Sequence, residues 1–280
     1  MVQLIQRGTC LSLARGVLIQ VCILSSPMYS NDASEIPVPQ AARKFASTRW
    51  SLVAAAAQRD SPESEAALAT LCRLYWYPLY AYARRRLPQP QDAQDLTQAF
   101  FACLLDKDYL QQADRQRGRF RGFLLTAFKH FLSKEQERNH ALKRGGGRTF
   151  LTLDFDRGEQ RYHQQPSQEA TPESLYERSW ALTLLDQGLT RLREELAAAG
   201  KERVFECLKG TLSLDAPPRP YAELAGELGM TAEALKVAVH RLRRRYGELI
   251  RAEIAQTVTT PEEIEDELRE LFAAVRAKNS

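Results

Sequence analysis

Pro220-Tyr221-Ala222-Glu223-Leu224-Ala225-Gly226-Glu227-Leu228-Gly229-Met230-Thr231 is the stretch that decides how this chain is read. Tyr221, Leu224, Ala225 and Leu228 fall at helical spacing and make one apolar stripe. Gly229 ends that helix and permits a tight turn, because glycine enters the left-handed region without a steric cost. Thr231 then serves as N-cap of a second helix, with Glu233 in the first turn, where the backbone dipole favours a carboxylate. The second helix is predicted over 231–254, burying Leu235, Ala238, Val239, Leu242, Tyr246 and Leu249. Two helices around a glycine turn make a helix-turn-helix.

The opposite face of the second helix carries Lys236, His240, Arg243 and Arg244, with Val237 and Arg241 beside them. Cations there neutralise phosphates, and a few side chains near the helix N-terminus reach base edges in a major groove. Val237 suits contact with a thymine methyl. A basic helix face alone is equally the solvated side of a structural helix. The glycine turn, the cap and the basic face in register are what favour DNA binding. His240 has no second metal ligand at helical spacing, so its place on that face is its only claim to a role.

Upstream, strand signals are scarce and the chain reads as helices separated by Pro, Gly or polar stretches. Helices are predicted over 49–59, 62–86, 91–105 and 120–142. In the third, Leu96, Phe100 and Leu104 face inward while Asp92, Asp95 and Gln98 line a polar face. Before the fourth, Arg115, Arg117, Arg119 and Arg121 alternate around Gly118 and Phe120. Such a basic loop ending in an aromatic can follow a sugar-phosphate backbone and hold unstacked bases. Each feature also has a plain reading: solvated acids, a soluble arginine loop, and Phe123, Phe128 and Phe131 as core.

The 280 residues suit two small domains with tails, and 44% hydrophobic with 26% charged residues is an ordinary globular composition. A net charge of +4 does not by itself announce a nucleic-acid partner. Cys10, Cys22, Cys72, Cys103 and Cys207 are scattered, with no paired spacing for zinc or a disulfide framework. The first block covers 45–144. Residues 145–172, with three glycines and many polar residues, read as a flexible linker. A second helical block covers 173–255, with helices at 173–198, 201–210, 220–228 and 231–254. An acidic amphipathic tail, 256–280, ends the chain, and its plain reading packs it on the basic second domain. Residues 1–44 read as a disordered or misassigned extension. Its apolar run at 17–24 is too short to span a membrane, and Met28 is the expected initiator, which N-terminal sequencing of the native protein checks. The fold class expected is all-α, two small helical domains on a flexible linker.

Order along the chain adds a resemblance. Asp92-Ala93-Gln94-Asp95-Leu96-Thr97-Gln98, then a basic loop and amphipathic helix, a linker, and Leu235-Lys236-Val237-Ala238-Val239-His240-Arg241-Leu242-Arg243 in a helix-turn-helix resemble bacterial sigma-70 family factors of the extracytoplasmic-function subfamily. The likeness covers about 45–253. It implies a cytoplasmic, non-enzymatic promoter-specificity subunit without metal or cofactor. Its partners would be core RNA polymerase, through the clamp helices of the largest subunit and the flap region, and promoter DNA. A regulator such as an anti-sigma factor is a further partner the resemblance implies. Asp92, Asp95, Leu96, Gln98 and Phe101 would dock on the clamp helices. Arg115, Arg117, Arg119 and Phe120 would capture a flipped base of the −10 element, with Lys129, His130 and Lys134 along the opened strand. Thr231, Lys236, Val237, His240, Arg241 and Arg244 would read the −35 element. Asp154 and Asp156, in the linker, would lie near the RNA exit path. Two positions depart from the family: Phe123 stands where Trp is common, and Lys129-His130 where a basic residue followed by Asn is usual.

Two other functions compete. A DNA-binding regulator would use the helix-turn-helix without docking on polymerase. A nucleic-acid-processing enzyme needs a carboxylate cluster for metal, and Asp154 with Asp156 is the only close pair in a predicted loop.

Overall fold

The computed structural model describes residues 53, 55–56, 62–106, 110, 119–139, 153–164, 170–213, 219–256, 258 and 260–276, with backbone alone at 105–106 and 136–139. The expected extension at 1–44, most of the helix expected at 49–59, and the loop bearing Arg115 and Arg117 lie outside the described residues. Among the described residues all regular structure is helical. The helices are α1 (Pro62–Arg86), α2 (Pro90–Asp106), α3 (Phe120–Asn139), α4 (Phe155–His163), α5 (Pro172–Ala198), α6 (Glu202–Leu208), α7 (Tyr221–Leu228), α8 (Ala232–Ala255) and α9 (Pro261–Arg276). A 3₁₀ turn, Lys209–Leu212, follows α6.

The chain divides into two compact units. One is Ser47–Leu184 with Arg251–Ser280; the described part of the other is Leu185–Ile250. The division falls inside α5 and inside α8.

In the first unit, α1 opens on Pro62 with Glu63 and Glu65 in its first turn and closes on Arg84, Arg85 and Arg86, charges that complement the helix dipole at both ends. From Leu74 to Ala83 nearly every side chain is buried, so α1 is the central helix of the unit rather than an amphipathic surface one. Tyr75, Tyr77, Tyr80 and Tyr82 are all fully buried. Buried phenols need partners for their hydroxyls. Tyr80 donates to Glu159, and Tyr82 Oη accepts from Arg86 Nη1 at 3.1 Å.

α2 turns Ala93, Thr97, Phe100, Phe101 and Leu104 inward. Thr97 is accommodated by donating its hydroxyl to the Ala93 carbonyl at 2.6 Å. α3 meets it with Phe128, whose ring centroid lies 4.9 Å from that of Phe100, and meets α1 with Phe120, 5.5 Å from Tyr75. Aromatic edge-to-face contacts of this kind add to the burial of the rings themselves.

Within the stretch expected as a linker, 145–172, the described residues include the helix α4. Asp154 caps α4 by accepting from the Arg157 N–H at 3.0 Å. Phe155 then packs on Trp76 and Tyr80, with centroids at 5.7 and 5.5 Å. Glu159 receives Arg84 Nε at 3.1 Å, and the Arg161 guanidinium lies 3.9 Å from the Tyr77 ring centroid. These anchors hold a polar nine-residue helix that its own periodicity did not announce. Gly158 makes the approach possible, since a Cβ there would meet two ring carbons of Trp76 at 3.1 Å. Gly158→Val is expected to overpack this contact and lower the stability of the unit by about 1–3 kcal/mol, read by urea denaturation.

In the acidic tail, α9 is grouped with the first unit. It buries Leu268, Leu271 and Val275, and the Val275 carbonyl accepts from Arg178 Nη1 at 3.1 Å. Arg251 Nε reaches Glu265 at 3.2 Å.

The second unit gathers Leu185, Leu192, Phe205, Leu208, Leu212, Leu224, Leu235, Val239, Leu242, Tyr246 and Leu249 into its core. The Tyr246 hydroxyl donates to the Leu185 carbonyl at 2.8 Å, and burial pushes its pKa above the ordinary phenol range. α5 ends where Gly200 takes φ 68° and Lys201 N–H donates back to the Leu196 carbonyl at 2.7 Å. That is the left-handed stop that glycine favours.

Candidate nucleic-acid interface

The turn between α7 and α8 follows the reading of the sequence closely. Gly229 adopts φ 64°, ψ 34°, and the Met230 N–H donates to the Ala225 carbonyl at 2.9 Å, closing α7. Thr231 Oγ1 accepts from the Ala234 N–H at 3.2 Å, so Thr231 caps α8. Leu224 and Ala225 on α7, with Leu235, Val239 and Leu242 on α8, are buried. The flank of α7 away from this core is tied down: Arg219 pairs with Glu223 and Glu227, and Arg203 donates to the Glu227 carbonyl at 2.7 Å.

This leaves one face of α8 outward. Lys236, Val237, His240, Arg241 and Arg244 are exposed. At about 100° per residue they share an arc of roughly 140°. Val237, at the middle of this arc, is 48% exposed. Among the described residues Lys236, His240 and Arg241 have no ion-pair partner; Arg244 has a loose contact with Glu248 at 3.6 Å. Arg243, expected on this face, turns away and donates Nε and Nη2 to the Thr211 carbonyl at 3.2 and 2.9 Å. It fastens the turn after α6 to α8. Glu233, exposed in the first turn of α8, lies within the same arc, and its carboxylate suits the exocyclic amine of a cytosine.

No family model, no curated protein and no solved structure matches this chain.

The polar face of α2 is presented as expected. Asp92, Asp95 and Gln98 are exposed, and among the described residues neither aspartate has an ion-pair partner. Leu96 is half-buried. Phe101 is not part of that surface. It is 2% exposed, with its ring 6.0 Å from Phe100, because the inward stripe of α2 is wider than the sequence pattern implied.

The residues assigned to single-stranded DNA are placed differently from one another. His130 and Lys134 are exposed. Lys129 is paired: its Nζ lies 2.7 Å from Glu173, whose carboxyl this contact holds below the usual range. Phe120 is 1% exposed against Tyr75 and is a core ring, not a free stacking platform. Arg119 is engaged by α9: Nε lies 3.1 Å from Glu267, Nη1 pairs with Glu270, and Asp266 is 4.0 Å from Nη2.

Arg121, expected only as one of four arginines in a basic loop, is instead a buried ion-pair centre. Its side chain is 8% exposed, and each nitrogen is used: Nε donates to Glu267 at 2.9 Å, Nη1 pairs with Glu177 and Nη2 with Glu270. The guanidinium lies 4.7 Å from the Trp180 ring centroid, and its backbone carbonyl accepts from Tyr176 at 3.0 Å. Burial pushes the Glu267 carboxyl above its ordinary range, which Arg121 and Arg119 only partly offset. Partial burial also works against the Glu270 carboxylate, but there the two arginines win and hold it low. The signal in the sequence was the alternation of Arg119 and Arg121 against the spaced acids of 262–270, which the eye reads as two separate features.

Among the described residues no group of three or more His, Cys, Asp or Glu is placed to hold a metal ion. Asp154 is occupied as a helix cap. Cys72 is buried, and burial pushes its thiol up to about 12. No helix of the described residues is long and apolar enough to cross a membrane.

Proposed function

We propose that this chain is a promoter-specificity subunit of RNA polymerase, a sigma factor that binds the core enzyme and delivers it to promoter DNA. The observation that carries the reading is the outward face of α8: Lys236, Val237, His240 and Arg241 are exposed, and Lys236, His240 and Arg241 have no ion-pair partner among the described residues. A capped helix after a glycine turn, with that face outward, has the form of a major-groove recognition helix. The exposed acidic face of α2, Asp92, Asp95 and Gln98, supports the further step from DNA binder to polymerase subunit. Its order before the helix-turn-helix is that of the sigma-70 family. In this reading α2 docks on the clamp helices, α8 addresses the −35 element, and Arg119, His130 and Lys134 follow the opened −10 strand. Trapping a displaced base offsets an unstacking cost of a few kcal/mol.

A second reading is favoured by one specific observation. Phe120 is buried and Arg119 and Lys129 are paired with carboxylates, so these members of the strand-holding group are already engaged. A regulator that binds duplex DNA through α8 alone needs none of these. Charge reversal at Asp95 separates the two. Asp95→Arg reverses the charge of the exposed α2 face and is expected to weaken core polymerase binding at least about tenfold. Duplex binding by α8 stays unchanged. Core binding is read by fluorescence anisotropy of the labelled protein, and wild-type affinity in the variant rejects the docking role of α2.

A further inference from the structure

The acids of α9 and the arginines at the start of α3 form a single charged assembly with two layers. The inner layer is Arg121 with Glu267, side chains 8% and 2% exposed, closed by Glu177 and covered by Trp180. The outer layer is Arg119 with Glu270 and Asp266, where the carboxylates are about half exposed, and the layers share two contacts: Arg119 Nε also reaches Glu267 at 3.1 Å, and Glu270 also pairs with Arg121. Six carboxylates stand on α9 against Arg269 and Arg276. The helix is held to its unit by other means: Leu268, Leu271 and Val275 are buried, and Arg178 and Arg251 hold its two ends.

This division of labour separates anchoring from occupancy. Apolar burial and the inner ion pair supply the anchor. The outer carboxylates stand where water reaches them, and exposed ion pairs of this kind contribute little to stability. What they do is present carboxylate oxygens as acceptors to the N–H donors of the Arg119 guanidinium. Guanidinium groups bind carboxylate and phosphate oxygens through the same fork of N–H donors. The two anions are therefore competitors for one seat.

We propose that α9 is a built-in acidic occupant of the Arg119 seat, in which Asp266 and Glu270 stand in for the phosphates of single-stranded DNA and keep Arg119 engaged until DNA displaces them. The proposal rests on the promoter-opening reading in assigning Arg119 to single-stranded DNA. Exchange at the outer layer leaves the inner Arg121–Glu267 pair and the apolar stripe in place, so α9 stays docked while its outer carboxylates give way. The occupant raises the threshold for strand capture, because DNA gains contact with Arg119 only by replacing a partner already there.

The test is fluorescence anisotropy of a labelled single-stranded oligonucleotide on the full chain. Asp266→Asn with Glu270→Gln removes the outer charges at partly exposed side chains, releasing Arg269 from Asp266 and one contact of Arg121 with Glu270 as well. It is expected to tighten single-strand binding about five- to tenfold, with a steeper salt dependence, and Glu270→Gln alone gives a smaller gain in the same direction. The gain must vanish on an Arg119→Gln background. Unchanged affinity in a variant with wild-type helicity and melting overturns the proposal, as does a gain that persists without Arg119, which would mark a diffuse charge effect. Run-off transcription with core polymerase separates this from the parent reading. Transcription without the affinity gain rejects the occupant alone; the gain without transcription keeps the occupant and rejects the promoter reading.

Discussion

Arg121→Ala is expected to destabilise the first unit by about 3 kcal/mol, making it the most damaging single substitution among the charged residues described. The side chain is buried with Glu267, and removing one partner of a buried pair leaves the other charge without compensation. Arg119 Nε still reaches Glu267 at 3.1 Å, which keeps the cost toward the lower end of the range for broken buried pairs. The Trp180 ring also loses the cation over its face. In a unit of this size the change corresponds to a fall of roughly 6–12 °C in melting temperature. Glu267→Gln is expected to cost less, because burial already works against the ionised carboxyl there. Arg121→Met combined with Glu267→Leu is expected to recover most of the loss, as apolar replacements of buried pairs commonly do. Calorimetry of the three variants checks the order. A mild Arg121→Ala would mean that the inner layer is wetter than the structure shows.

The second large effect falls on DNA. Lys236→Ala with Arg241→Ala removes two unpaired cations from the outward face of α8 and is expected to weaken binding to duplex promoter DNA by about 100-fold. If both contact phosphates, the dependence of log affinity on log salt falls by about 2. Stability should hold, since both side chains are exposed. Arg243→Ala behaves in the opposite way. That side chain holds the Thr211 carbonyl, so the loss appears first in melting of the second unit and only secondarily in DNA binding. Filter binding at several salt concentrations, beside thermal melts, distinguishes the two arginine roles. A Lys236/Arg241 variant with wild-type affinity would remove α8 from the interface.

Most of the helices were legible because their signals are local. Gly229, Thr231 and the stripe of Leu235, Val239, Leu242 and Tyr246 define the helix-turn-helix within thirty residues, and cap, turn and buried face all agree. Asp92, Asp95 and Gln98 were placed by the same periodicity. What escaped was non-local. α4 is a nine-residue helix of mostly polar residues, held by Trp76, Tyr80 and Arg84 from a helix seventy residues earlier. A pattern within 155–163 does not reveal partners that far away. The pairing of Arg119 and Arg121 with α9 spans nearly 150 residues, and each side read singly was an ordinary charged surface. Phe101 and Phe120 failed for a related reason. An aromatic beside a polar motif reads equally as contact or core, and only the packing of Phe100 and Tyr75 against them decides.

Run-off transcription from fragmented genomic DNA, with purified core RNA polymerase and this protein, tests the central proposal most directly. The account predicts discrete transcript 5′ ends that depend on the protein, share sequence elements about 10 and 35 base pairs upstream, and disappear with Asp95→Arg or with the Lys236/Arg241 double substitution. Tight duplex binding by α8 with no protein-dependent starts would contradict it and leave a DNA-binding regulator in its place.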